Sequence, residues 1–209
     1  VGIDVARRRD LWVAAVLECV GDVLWVRELV VEQNITFRAQ RDIVNEIYKR
    51  YRPLRGAVDQ TGMGEAFVEQ LQDDHGSLRL EGVIMTGPRR LDVATALRER
   101  VEDKRLRIPA EDALRQDLHS VRAGGGATGA PRLVAQTAGT DGHADRFWAL
   151  ALACAAAASA AGPIEGDTLD RLVSDGYVPA PGADRSRVSR TDHRLGIVRR
   201  VSANAEGFH

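Results

Sequence analysis

The first 34 residues form three apolar-rich runs separated by two polar breaks, a charged stretch from Arg7 to Asp10 and the pair Gly21-Asp22. Gly-Asp between apolar runs is a tight-hairpin signal, so an antiparallel three-strand meander is predicted. Thr36 is placed to cap a helix running to about Tyr51, in which Phe37, Ile43, Val44, Ile47, Tyr48 and Tyr51 keep roughly helical spacing. Pro53 ends that helix, because a proline ring cannot continue it.

Beyond Pro53 the pattern alternates between a strand at Arg55–Asp59, a helix at Gly64–His75 and a strand at Leu80–Met85. Parallel neighbours need a crossover, so this rhythm predicts parallel strands added to the meander, giving a mixed sheet. A charged helix is expected from Pro88 to Arg105 and a shorter one from Glu111 to Leu118. In the following string HSVRAGGGATGAPRLVAQT, two strand-like arms flank a glycine-rich tip, which predicts an extra β-hairpin. The apolar run from Ala144 to Ala161 predicts the closing helix. From Gly162 onward Gly, Pro, Ser, Asp and Arg dominate and the periodicity is lost. The expectation is one α/β domain over 1–161 and an irregular tail, loosely packed or disordered, over 162–209.

Composition narrows the class. A chain of 209 residues with 44% hydrophobic and 28% charged positions is long and apolar enough for one full core. Its net charge of −1 gives no global attraction to nucleic acid, so any contact with phosphates must come from local basic clusters. Two cysteines, Cys19 and Cys154, are too few for a disulfide framework. The Ala-rich run from Phe147 is shorter than the ~20 residues of a membrane span and reads as a buried helix. The chain opens on Val1 within a strand-like segment, without an initiator Met, and is expected to be part of a longer protein.

Three acids stand where elements begin or end. Asp4 is read in the middle of the first strand, Asp59 closes the strand GAVD, and Asp145 opens the last helix in TDGHADRFWALALA. An apolar strand does not ordinarily carry an interior carboxylate, because burying one without a partner costs several kcal/mol. Taken singly, each has an ordinary explanation: a turn contact for Asp4, a helix cap for Asp59 and a favourable dipole for Asp145. Together they suit a hard divalent cation, which takes carboxylate oxygens and keeps waters or phosphates as its other ligands.

That order of acids and elements resembles the ribonuclease H-like superfamily of nucleases, resolvases and transposases. The strings GIDVARRRDLWVAAVLE, AVDQTGMGEAFVEQL and DGHADRFWALALA are similar, more narrowly, to the nuclease (C-terminal) domain of tailed-phage terminase large subunits, particularly the Mu-like prophage group. The resemblance spans roughly Val1 to Ala161. It implies a ribonuclease H-like mixed sheet flanked by helices and a Mg²⁺- or Mn²⁺-dependent endonuclease, using two ions, that cuts concatemeric double-stranded DNA during packaging. It carries Asp4, Asp59 and Asp145 over as catalytic metal ligands, with Asp141 as rival for the third carboxylate. His143 is a second-rank catalytic candidate. The implied partners are double-stranded DNA, the terminase ATPase domain, the small terminase subunit and the capsid portal, in the host cytoplasm and with no membrane.

No G-x-x-x-x-G-K-[ST] string occurs, so cutting is expected of this segment and ATP-driven pumping is not. Arg7, Arg8 and Arg9, directly after Asp4, and Arg122 and Arg132, flanking the glycine-rich tip, are the candidate DNA contacts; they would position a duplex without reading its bases. The competing readings are a Holliday-junction resolvase or transposase on the same scaffold, an actin-like ATPase, and a non-catalytic portal-docking module.

Overall fold

The computed structural model describes residues 1–5, 11–61, 64–125, 131–135 and 144–160, side chains at 64, 122–125, 131–135 and 160 excepted. Arg7 to Arg9, the glycine-rich tip, Asp141, His143 and the tail 162–209 lie outside the described residues.

The meander forms as the pattern predicts: β1 (Gly2–Asp4), β2 (Leu11–Val20) and β3 (Val23–Gln33), with Gly21 in the left-handed turn between the last two. The helix α1 (Phe37–Tyr51) begins where Thr36 Oγ1 accepts the Ala39 amide at 3.2 Å. It ends on Arg52 at φ 46°, just ahead of Pro53, a left-handed stop whose amide still donates to Tyr48 O. Then follow β4 (Gly56–Asp59), α2 (Gly64–His75), β5 (Leu80–Val83) and α3 (Gly87–Glu102). The chain continues through β6 (Leu106–Arg107), α4 (Asp112–Ser120), the hairpin β7 (Val121–Gly125) and β8 (Pro131–Ala135), and α5 (Asp145–Ala160).

The main sheet has the order β5-β4-β1-β2-β3-β6, in which β1–β2 and β2–β3 are antiparallel while β1–β4, β4–β5 and β3–β6 are parallel. This is the expected mixed sheet, with four differences from the predicted elements. The short β6 was not anticipated, and the charged helix stops at Glu102 rather than Arg105, because Lys104 at φ 58° turns the chain back toward β3. The strand expected to reach Met85 ends at Val83. Asp4 is the last residue of β1, not an interior one.

Each face of the sheet is covered. On one side Ile3, Trp12, Ala14, Val16 and Val58 pack with Val44, Ile47, Tyr48, Phe67 and Leu71 of α1 and α2. On the other, Val13, Ala15, Ala57 and Val83 pack with α3, α4 and the apolar body of α5. Strand alternation therefore sends Gly2 and Asp4 of β1, and Ala57 and Asp59 of β4, to the α5 side.

Small residues let α5 lie unusually close to the sheet. A Cβ on Gly2 would overlap Ala149 O and Ala153 N of α5 and stand 2.8 Å from Ala153 Cα. These are backbone atoms at the centre of a helix and cannot step aside. Gly2→Ala is therefore expected to lower unfolding stability by about 1–3 kcal/mol, as overpacking does, measured by urea denaturation. A variant as stable as the parent would show that α5 does not rest on β1 in this way.

Candidate metal centre

The parallel strands β1, β4 and β5 all end at the same edge of the sheet. In the β1–β4 ladder Gly2 pairs with Ala57 and Ile3 with Val58. Extended by one residue, that register sets Asp4 beside Asp59, on neighbouring strands about 4.8 Å apart and on the same face. Two like charges so placed repel unless something positive lies between them.

The third acid arrives from α5, which runs antiparallel to β1. Its later residues Ala153 and Ala157 lie near Val1, whereas its first residue lies beyond the end of β1. There Asp145 is buried at 5% exposure, and its Oδ2 accepts the Leu11 amide of β2 at 2.9 Å. Leu11 is two residues past Val13, the partner of Asp4. The fold thus brings Asp4, Asp59 and Asp145 to one edge and one face.

The loops around that edge are stitched together. Asp59 Oδ1 accepts the Thr61 amide at 2.7 Å, Thr61 Oγ1 accepts the Met85 amide at 2.9 Å, and the Gln60 amide donates to Val83 O at 2.9 Å. The first turn of α5 is held just as firmly. Ala144, buried and at φ 59°, occupies the left-handed region, which costs a non-glycine residue roughly 1–2 kcal/mol. Arg90 of α3 lies over the Trp148 ring at 4.5 Å, and Asp117 of α4 accepts both the amide and a guanidinium N–H of Arg146.

The donor chemistry fits a hard divalent cation: carboxylate oxygens from three separate elements and no sulfur or imidazole among them. The side chains do not close on one point, for among the described residues no three His, Cys, Asp or Glu groups stand close enough to hold an ion. The Leu11 amide draws the Asp145 carboxylate, and the Thr61 amide draws that of Asp59. What the fold supplies is their common placement.

Asp141 and His143, whose roles the sequence left open, lie outside the described residues, as do Arg7, Arg8 and Arg9. The backbone of Arg122 pairs with Val134 and that of Arg132 with Gly124 on the hairpin, their side chains being outside the described set. Sequence reasoning missed Asp117 of α4 and Arg90 of α3, which brace the α5 end through Arg146 and Trp148.

Other acidic and titrating groups belong elsewhere. Glu28 and Glu32 are nearly as buried as Asp145, but they face α1, where Arg50 approaches Glu28 at 3.3 Å. Arg41, bonded to Asp74 at 2.6 Å, holds that carboxyl below its usual range, a surface pair between α1 and α2. Burial pushes the Cys154 thiol up to about 12, leaving it an inert core residue. A cavity of about 610 Å³ opens at the opposite end of the sheet, among Val1, Leu17, Tyr51, Leu54 and Ala157, remote from the three acids. No helix among the described residues is long and apolar enough to cross a membrane.

Residues 1–157 match the family model described as the terminase RNaseH-like domain. No curated protein matches the chain. Among solved structures it is similar to the large terminase nuclease of thermophilic phage G20c, with a TM-score of 0.61 and 20% identity over 74% of this chain and 79% of that one. The same phage nuclease with bound magnesium matches at a TM-score of 0.61 and 20% identity, covering 74% and 78%. With bound cobalt it matches at 0.60 and 20%, again covering 74% and 78%. Likeness at this identity establishes a shared fold, the ribonuclease H-like mixed sheet.

The Asp145–Leu11 contact can be weighed separately from charge. Asp145→Asn and Asp145→Ala both remove the carboxylate's charge, but only the second removes the acceptor. Asp145→Ala is expected to unfold more easily than Asp145→Asn by roughly 1–2 kcal/mol, the cost of leaving a part-buried amide unpaired. Urea denaturation in EDTA measures the difference, and equal stabilities would show that the contact contributes nothing.

Proposed function

The chain belongs to the terminase RNase H-like domain family, and from that membership we propose that it is the divalent-metal-dependent endonuclease of a phage DNA-packaging terminase. What supports the reading is that Asp4 and Asp59 end adjacent parallel strands on the α5 side, while Asp145 heads α5 against the start of β2. Two carboxylates ending adjacent strands on the same face can both supply oxygens to a divalent cation, and this supports the reading.

In this reading Asp4 and Asp59 hold the ions from adjacent strand ends and Asp145 completes the set from the head of α5. Bound Mg²⁺ or Mn²⁺, as a pair of ions, supplies an activated water and stabilises the leaving oxygen of the phosphodiester. The chain's own part is to bring three carboxylates from distant segments to one end of the sheet, where turning Asp145 from the Leu11 amide would complete the ligand set. Asp141 and His143, immediately before α5, are the further candidates at the same place.

The substrate proposed is concatemeric double-stranded DNA, cut with little sequence preference, since no recognition helix or zinc module is present in the sequence. Arg7, Arg8, Arg9, Arg122 and Arg132 are proposed to contact its phosphates. The domain spans 1–161, with 162–209 as an appended tail. The ATPase domain, small subunit and portal of a packaging machine are its proposed partners in the host cytoplasm, and the motif strings favour the Mu-like prophage group.

Plasmid nicking in Mn²⁺ tests the assignment. Asp4→Ala, Asp59→Ala and Asp145→Asn are each expected to cut at least about a hundredfold more slowly than the parent, beyond the loss usual for residues that only support a metal ligand. Undiminished cutting in any of them defeats that residue's role. Mapped cut sites should be scattered over linear duplex, at a rate no lower than on a four-way junction. Cleavage confined to one short sequence, or to junctions, would instead mark a site-specific nuclease or a resolvase.

A further inference from the structure

A helix opens with four backbone amides that lack partners inside the helix, and a side chain at the N-cap ordinarily accepts one of them. The residue at that place in α5 is Ala144, whose carbonyl accepts the Trp148 amide at 3.1 Å and whose methyl group can accept nothing. The missing acceptor comes from another helix. Asp117 Oδ2 of α4 takes the Arg146 amide at 3.2 Å and the Arg146 guanidinium at 3.3 Å. Both side chains are largely enclosed, at 15% and 17% exposure. A carboxylate against a helix N-terminus also suits the helix dipole, and Arg146 balances its charge so that it adds no net repulsion to the acids nearby.

Arg146 follows Asp145 directly, so whatever fixes the Arg146 amide fixes the orientation of the Asp145 backbone. Asp117 in turn is held by α4, which Leu114 anchors in the core at 1% exposure and which passes into the hairpin strand β7 without a linker. We propose that Asp117 is a positioning residue for the metal centre: by capping α5 from α4, with Arg146 as its counter-charge, it sets where Asp145 presents its carboxylate and ties that position to the base of the hairpin. This rests on Asp145 being a metal ligand.

The test uses the full chain and Mn²⁺ alone as the probe, with Asp117→Ala, Asp117→Asn and Arg146→Lys beside the parent. Free Mn²⁺ is followed by electron paramagnetic resonance to give affinity, and plasmid nicking over a Mn²⁺ titration gives the half-saturating concentration and the maximal rate. All readings are taken well below the melting temperature of each variant. Asp117→Ala is expected to weaken Mn²⁺ binding by about tenfold to a hundredfold, the usual effect of removing a group that orients a ligand, and to regain most of its rate at saturating metal. Asp117→Asn, which keeps an acceptor for the Arg146 amide, should fall between it and the parent.

A purely structural role would lower the melting temperature and leave Mn²⁺ affinity within about twofold of the parent, and that result overturns the proposal. If Asp117→Ala does not fold, Asp117→Asn carries the test, with Arg146→Lys, which keeps the capped amide and the positive charge, as the control expected to bind like the parent; parental affinity in Asp117→Asn overturns it equally. A parent that binds no Mn²⁺ sinks the nuclease reading itself and this inference with it, whereas a parent that binds beside unaffected variants sinks this inference alone.

Discussion

The contact of α5 with β1 governs the rest of the molecule. Gly2 carries no Cβ, and the helix face it meets is built of Ala149 and Ala153, so helix backbone lies directly on strand backbone. A helix packed through long side chains has room to slide or roll. One packed through glycine and alanine is fixed in register, because any shift drives backbone into backbone. The alanine richness that makes α5 featureless as a sequence is therefore what sets its first residue at a definite point beyond the end of β1.

That point is electrostatically demanding. Asp4 and Asp59 end adjacent parallel strands on the α5 side, and Asp145 is brought to the same edge from a segment far along the chain. The Thr61 amide meets Asp59, the Leu11 amide meets Asp145, and Ala144, directly before Asp145, stands in the left-handed region. Around it, α3 contributes Arg90 over Trp148 and α4 contributes Asp117 on Arg146, so the helix end is braced from both sides.

Much of this was legible in sequence, for identifiable reasons. Hairpin signals at Gly21-Asp22, the Thr36 cap and the strand-helix alternation after Pro53 report local preferences, and the corresponding elements formed where expected. The positions of Asp59 and Asp145 at element ends followed from the same patterns. Asp4 was misplaced within its strand because the apolar run around it does not show where pairing stops. The strand β6 escaped notice because two residues have no period; only its pairing with Leu24 and Trp25 defines it. Asp117 was invisible for a deeper reason. It sits in the charged string EDALRQDLHS, which reads as a solvated helix face, and its partner is 29 residues away. Capping supplied by a distant helix leaves no spacing to detect.

The central claim is that these three acids form one divalent-metal site. Crystals grown in Mn²⁺, with anomalous scattering recorded at the manganese edge, address it directly. The account predicts manganese peaks at the shared edge of β1 and β4, with oxygens of Asp4, Asp59 and Asp145 as ligands and Asp145 turned from the Leu11 amide toward the ion. Saturating Mn²⁺ with no anomalous peak within reach of Asp4 and Asp59, and Asp145 still bonded to Leu11, would contradict it.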